Sequence, residues 1–351
     1  GKVYRSTDSG ANWIGINLGG STVYSLKTTL NNHIYAGTGN GLFISTNNGD
    51  DWLHLNHNLE VFEVWSLECN TFNQILAGTS EGVFRSDNNG GSWIRVLELD
   101  EWILNIGINS VGYIFAGSTQ GVFRSTDNGD NWLQVNNGLD INTIYSLAIN
   151  SNDHIYVGSF HYTGCIFRST NYGESWVQLP FNGITDNWAM EIAINSSDHI
   201  FVGTRYDGIF RSTNNGSNFI QINSGLTNNE ITAIECVDEN FLWVGTYGSG
   251  VFKSTDNGDT WIQCNNGLTN LKINDIITKA SGIMYVGTEA GVFISSNSGN
   301  DWQELNTGLS SDVIWCFTMN NKGQLFAGSY DTGDIYRSVS SFTSVEDEIN
   351  V

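Results

Sequence analysis

Apolar and polar residues alternate along this chain in short runs, and the runs are cut by Gly, Asn, Asp and Ser. Within residues 61–98 four such runs follow one another: VFEVWSLE, QILAGT, GVFRS and SWIRVLE. A period of two, carried by β-branched and aromatic residues and bounded by turn formers, predicts strands. No segment sustains an apolar period of 3.6 residues, so the expected helix content is near zero.

The four-run pattern returns. A polar box closed by an aromatic residue occupies positions 6–13, 45–52, 86–93, 125–132, 169–176, 212–219, 254–261 and 295–302. The closing aromatics are spaced 39, 41, 39, 44, 43, 42 and 41 residues apart. A second phrase stands between successive boxes and once after the last: IYAGT, ILAGT, IFAGS, IYVGS, IFVGT, LWVGT, MYVGT and LFAGS. Four strands per unit of about 40–45 residues make the blade of a β-propeller. One blade cannot cover its own two faces, so blades must stack around an axis.

The box has its own local chemistry. Gly at its fifth position (Gly10, Gly49, Gly90 and Gly129, for example) permits a left-handed turn. Two residues earlier stands Asp8, Asn47, Asn88, Asp127, Asn171, Asn214, Asp256 or Asn297, whose side-chain oxygen can accept the N–H groups of the turn. The closing Trp re-enters the next strand and is expected to lie buried under the turn. Gly 40 against Pro 1, and 12% aromatic residues, agree with many tight turns in a sheet-built chain.

This S-T-[DN]-x-G-x-x-W phrase resembles the Asp-box, or BNR repeat, of sialidase-type propellers. The resemblance covers nearly the whole chain. It implies the propeller fold and does not single out one activity. Sialidases, xyloglucan-cleaving endoglucanases, the sortilin ectodomain and a photosystem assembly factor share the box. The resemblance further implies that the box is a structural staple on the rim, away from any ligand.

The expected fold is therefore all-β: a single propeller of four-stranded antiparallel blades over residues 1–340, followed by a linker tail, 341–351. Seven complete units run from about residue 21 to 306. Outside them stand two strands at the N-terminus, KVYRS and NWIGIN, and three at the C-terminus, VIWCFTM, QLFAGS and DIYRS. They predict an eighth blade closed by both chain ends, the alternative being a seven-bladed ring with loose ends. One of two competing third strands, near Tyr4 or near Tyr336, is expected to be displaced or doubled up.

The charge narrows the partners. Lys+Arg 14 against Asp+Glu 36 gives a formal net charge of -22. Such a surface repels phosphate backbones and anionic lipids, so neither nucleic acid nor membrane insertion is expected. No apolar run of about 18 residues is present to span a bilayer. The five cysteines, Cys69, Cys165, Cys236, Cys264 and Cys316, lack C-x-x-C spacing and read as small core residues. No cofactor is expected. Calcium is the one ion that the acid surplus would admit, although no D-x-D-x-D-G loop is written here.

Candidate function is sought in departures from the repeat. Arg5, Arg85, Arg124, Arg168, Arg211, Lys253 and Arg337 share one position before the box, and a structural role explains them. Arg205 and Arg95 are the off-pattern arginines. Two cannot supply the arginine cluster with which a sialidase clamps a carboxylate, so that activity is not expected. The first strand of each blade lines the axis. Aligned on the second phrase, its channel position reads Tyr24, Trp65, Leu104, Tyr145, Met190, Thr232, Asn274 and Trp315. Trp102 and Trp188 stand two residues before it in their blades. Such aromatics either plug a wide ring or form a stacking platform for sugars. The loops between second and third strands share that face. They add Phe160, Tyr162, Tyr206, Tyr247 and Tyr330, on a scaffold where loops carry binding residues. Among the acids of this face, Glu63 and Glu101 are the pair to test for glycoside hydrolysis, which needs two carboxylates about 5–9.5 Å apart, one with a raised pKa.

Three functions follow. The first is an extracellular, non-enzymatic propeller that recognises a glycan or a protein on its aromatic face. The second is a polysaccharide-active hydrolase similar to the xyloglucan-cleaving Asp-box enzymes. The third is a structural or assembly subunit of a surface layer or filament. The chain opens within a repeat, which reads as a processed or trimmed start, and no signal peptide is visible. The tail SVSSFTSVEDEINV resembles the segment preceding the C-terminal sorting domain of secreted Bacteroidetes and Ignavibacteria proteins, which implies export to the cell surface or medium.

Overall fold

The second phrase of the repeat is apolar without alternation, and its place in the fold explains why. Ile34–Thr38, Ile75–Thr79 and Ile200–Thr204 are buried at every position. A strand covered on both faces has no solvent side to which polar residues can turn. Its Gly has a separate cause. A Cβ on Gly37 would lie 2.6 Å from Cγ1 and 2.7 Å from the carbonyl oxygen of Val64, on the neighbouring sheet. The missing side chain lets the next blade seat its innermost strand there.

The computed structural model describes residues 2–5, 14–18, 22–29, 31–55, 63–70, 72, 74–88, 92–141, 143–159, 166–180, 188–279, 282–307, 309, 313–319, 325–329 and 335–337. Among them are strands and turns and no helix. Seven antiparallel sheets of four strands each run from innermost to outermost in chain order. We number them blades one to seven: residues 23–54, 64–98, 103–134, 146–178, 189–221, 231–263 and 273–304. A closing sheet of five strands completes the ring from both chain ends. Ile314–Met319, Leu325–Ser329 and Ile335–Arg337 are its first three strands. Lys2–Arg5 then pairs in parallel with Ile335–Arg337, setting Tyr4 opposite Tyr336. Ile14–Asn17 pairs antiparallel beyond it. The ends are thus not loose, and both candidate third strands are kept side by side. The innermost strand of blade one touches those of blade two and of the closing sheet, so the ring is closed and the inner edge of each sheet is short and sheltered at the axis.

The core lies between sheets. Eight apolar clusters each join two neighbours, as where Tyr35, Ile44 and Leu55 of blade one meet Val64, Leu67 and Trp93 of blade two. The box Trp residues reach further. Trp176, Trp261 and Trp302 donate their indole N–H to the carbonyl oxygens of Val135, Ile222 and Cys264 in the preceding blade, at 2.6, 2.6 and 2.8 Å.

The box is a turn that bonds to itself. Ser45 Oγ accepts the N–H of Gly49 at 2.6 Å, and Asn47 Oδ1 accepts that of Asp51 at 2.9 Å. The same pair of bonds recurs around Asp127, Asn171, Asn214, Asp256 and Asn297. Asn88 accepts the N–H of Ser92, and Asp8 lies outside the described residues. Two successive positions are left-handed, as at Asn128 (φ 59°) and Gly129 (φ 90°). In blades two to six the residue before the box is a cation that binds the box of the next blade; Ile44 and Ile294 take that place in blades one and seven. Arg85 Nη1 donates to Asn128 O at 2.6 Å and to Asp130 at 2.7 Å. Arg124, Arg168, Arg211 and Lys253 repeat the link onto Tyr172, Asn215, Asn257 and Ser298. That recurrence gives these five cations a structural role.

Candidate functional site

One backbone irregularity aims the channel side chains. In blade two, Val64 pairs with Thr79 but Ser66 with Gly78, so Trp65 is the extra residue of a β-bulge. The same shift falls at Tyr24, Leu104, Met190, Thr232, Asn274 and Trp315. A bulge bends the strand and re-aims its extra side chain. These residues stand at the start of the innermost strands, on the face opposite the boxes. The turns between second and third strands share that face, since Thr119 N donates to Trp102 O at 3.2 Å and Tyr247 N to Glu230 O at 3.0 Å.

The aromatics expected there gather in groups. Tyr24 stacks on Trp65 with ring centroids 4.2 Å apart and planes at 29°, and Trp65 stacks on Trp102 at 5.3 Å and 25°. Trp65 is the inner member, and its indole N–H is buried without a hydrogen-bond partner. Trp102, the outer member, is 47% exposed. On the fifth blade, Trp188 packs against Tyr145 at 5.4 Å, and the Arg205 guanidinium lies 4.7 Å above Trp188 and 5.2 Å above Tyr206. Tyr206 is 58% exposed. Beyond it, Tyr247 donates to Glu289 at 3.0 Å, and Lys272 bridges both. The Lys272 contact holds the Glu289 carboxyl below its ordinary pKa. Trp315, 46% exposed, stands at the mouth on the closing sheet. Phe160, Tyr162 and Tyr330 lie outside the described residues.

Glu101 does not have the character of a general acid. Its carboxylate accepts Thr119 Oγ1 at 2.5 Å and Gln120 Nε2 at 3.0 Å. These bonds hold its pKa below the usual value, whereas proton donation to a leaving group needs it raised. Glu63, its expected partner, meets the neighbouring turn through its backbone carbonyl, which accepts Ser80 N at 3.2 Å.

A second tier lies one step down the axis. Its position reads Ser25, Ser66, Asn105, Ser146, Glu191, Ala233, Asp275 and Cys316. Glu191 and Asp275 are the only ionisable carboxyls in that row of small residues. They line a cavity of about 190 Å³ with Tyr24, Thr232, Asn274 and Trp315. Both are half-buried where they line this cavity. Burial, then repulsion from Asp275, pushes the Glu191 carboxyl up to about 8. Burial raises Asp275 to about 7 against the pull of two backbone donors, Phe317 N at 2.7 Å and Ile276 N at 2.8 Å. Below them Glu235, also raised by burial, accepts the N–H and hydroxyl of Thr278 at 3.1 and 2.6 Å. Among the described residues no group of three or more His, Cys, Asp or Glu is arranged to hold a metal. The described residues contain no helix long and apolar enough to cross a membrane.

The two-component regulator propeller family matches residues 225–248. No curated protein sequence matches. Among solved structures, the GH74 xyloglucanase from Xanthomonas campestris is 15% identical at a TM-score of 0.63, with 93% of this chain and 59% of that one covered. YCF48 bound to D1 peptide is 13% identical at 0.62, with 97% and 99% covered. PorZ, an essential bacterial surface component of the type-IX secretion system of Porphyromonas gingivalis, is 14% identical at 0.59, with 92% and 53% covered. The chain spans about half the length of PorZ and of an extracellular domain from B. thetaiotaomicron, 54% in the latter case. At these identities the likeness is one of fold.

Proposed function

We propose that this is a non-enzymatic binding propeller of the Asp-box kind, acting outside the cell, that takes a glycan or protein ligand on the aromatic face. The observation that carries the reading is the Tyr24–Trp65–Trp102 stack, whose outer ring stays 47% exposed. A stacked plug would bury its last ring. An exposed indole on a rigid stack offers flat apolar area at little entropic cost on binding. The turns of Arg205 and Tyr247 surround the axis with further rings and with polar groups already held in place. The peptide on YCF48 and the surface location of PorZ agree with a protein ligand and an extracellular site. The hydrolase reading, suggested by the xyloglucanase likeness, lacks support at Glu101, which is held as an anion. Glycan and peptide arrays probed with the full chain, then with Trp102→Ala and Tyr206→Ala, test the proposal. Hits that both variants retain at full strength would refute the assignment to this face.

A further inference from the structure

The cavity under the mouth has a chemistry of its own. Its walls combine two rings, Tyr24 and Trp315, with two carboxyls, Glu191 and Asp275, and two neutral hydrogen-bonding side chains, Thr232 and Asn274. The two acids differ. Both Asp275 oxygens already accept backbone N–H groups. The half-buried Glu191 side chain has no hydrogen-bond partner among the described residues and lines the cavity. Its carboxyl is free to pair with a guest that enters there. Sugar-sized and drug-sized ligands occupy pockets of about 300–1,000 Å³. About 190 Å³ admits one slender group. A cation with N–H donors answers the carboxyls, and the rings attract it through their faces.

We propose that this cavity binds an alkylammonium group, either a free amine or the lysine side chain of a protein partner. The inference rests on the reading of the aromatic face as a binding face. It narrows the ligand there to one that brings a positive charge to the axis. The net charge of -22 steers such ligands inward. Glu191 interacts with Asp275 and Cys236, and Asp275 in turn with Glu235 and Cys316; none of these groups supplies a positive charge. Lys27, nearer the box face, is paired with Glu68 at 2.6 Å.

The test is calorimetry on the full chain with n-butylammonium chloride, sodium butyrate and 1-butanol. Saturable binding of butylammonium alone is expected, tighter at pH 8 than at pH 6, with proton release when buffers of different ionisation heat are compared. Glu191→Gln should weaken it roughly tenfold or more, and Asp275→Asn serves should that variant misfold. A capped Gly-Gly-Lys-Gly-Gly peptide separates the sources: binding like butylammonium points to a protein side chain, and binding of the free amine only points to a small amine. Trp102→Ala should leave butylammonium binding intact while abolishing array hits, so the two readings fail separately. Equal affinity for butanol and butylammonium, or no effect of both acid substitutions, would overturn the proposal.

Discussion

The indole Nε1 of Trp302 donates to the carbonyl oxygen of Cys264 at 2.8 Å, across the boundary between blades seven and six. The ring is 4% exposed, so the box that carries Trp302 is fastened to the blade before it as well as to its own strand. Trp302→Ala should therefore destabilise the chain by about 3–5 kcal/mol through the cavity it leaves. Trp302→Phe keeps most of the packing and leaves one buried carbonyl unpaired, for about 1–3 kcal/mol. Urea unfolding of both variants checks the order. Phe219 occupies the equivalent position in blade five, so the phenyl ring is compatible with the turn.

The cation before the box of blade two predicts a chemical asymmetry. Arg85 is 7% exposed and reaches both the Asn128 carbonyl and Asp130 of the next blade. Nη1 makes both of those bonds while Nε and Nη2 hold Asp87 of its own blade, so Arg85→Lys retains the charge but offers a single ammonium where the fork joins the two blades. We expect Arg85→Lys and Arg85→Ala to lower stability by similar amounts, about 1–3 kcal/mol. Full rescue by lysine in thermal unfolding would show that charge alone is what matters.

Two glycines separate strain from space. Gly299 (φ 74°) and Gly282 (φ 82°) are both left-handed. A Cβ on Gly299 would come 2.4 Å from Cη2 of the buried Trp243, whereas around Gly282 nothing lies within 4 Å. Gly282→Ala should cost about 1–2 kcal/mol, the left-handed penalty alone. Gly299→Ala adds a clash with a ring that cannot move, and its loss in chemical unfolding should clearly exceed that of Gly282→Ala.

Much of this was legible in the sequence, for a physical reason. A blade must present the same surfaces to each neighbour, so the residues that fasten one blade to the next recur with the period of the blade. The box, the second phrase and the cation before the box are of that kind. The doubling of Lys2–Arg5 beside Ile335–Arg337 was foreseeable only as one of two outcomes, displacement or doubling, because alternation does not specify which edge a parallel strand joins. The stack of Trp65 on Trp102 depends on a bulge, which leaves no mark in the hydrophobic pattern. Glu191 and Asp275 were visible in principle, as acids in a row of serines, but their burial follows from the closing of the ring and not from any local signal.

Those two acids make stability depend on pH. The Glu191 carboxyl titrates near 8 in the folded chain and Asp275 near 7, against about 4 for both when unfolded. Between those limits the folded state holds more protons than the unfolded one, so stability falls as pH rises. The contribution is complete below about pH 4 and lost by about pH 8. The repulsion within a chain of net charge -22 acts in the same direction. The melting temperature should therefore drop steadily from pH 5 to pH 8. Glu191→Gln should flatten the curve above pH 6. A wild-type profile that rises across this range would show that the two carboxyls are ionised in the fold.

The aromatic face predicts a split between stability and binding. Trp102 is 47% exposed and ends its stack, so its removal opens no cavity in the core. Trp102→Ala should cost no more than about 1–1.5 kcal/mol, the worth of one aromatic pair. Trp65→Ala removes the inner ring, which touches both Tyr24 and Trp102, and should be the more destabilising of the two. If the stack is a platform, Trp102→Ala removes ligand binding while the melting temperature barely moves. If it is a plug, both variants lose stability in proportion to the area they bury, and binding to any array hit is unchanged. Melting curves and array binding measured on the same two variants decide between these outcomes, because the two readings assign opposite roles to the exposed face of one indole.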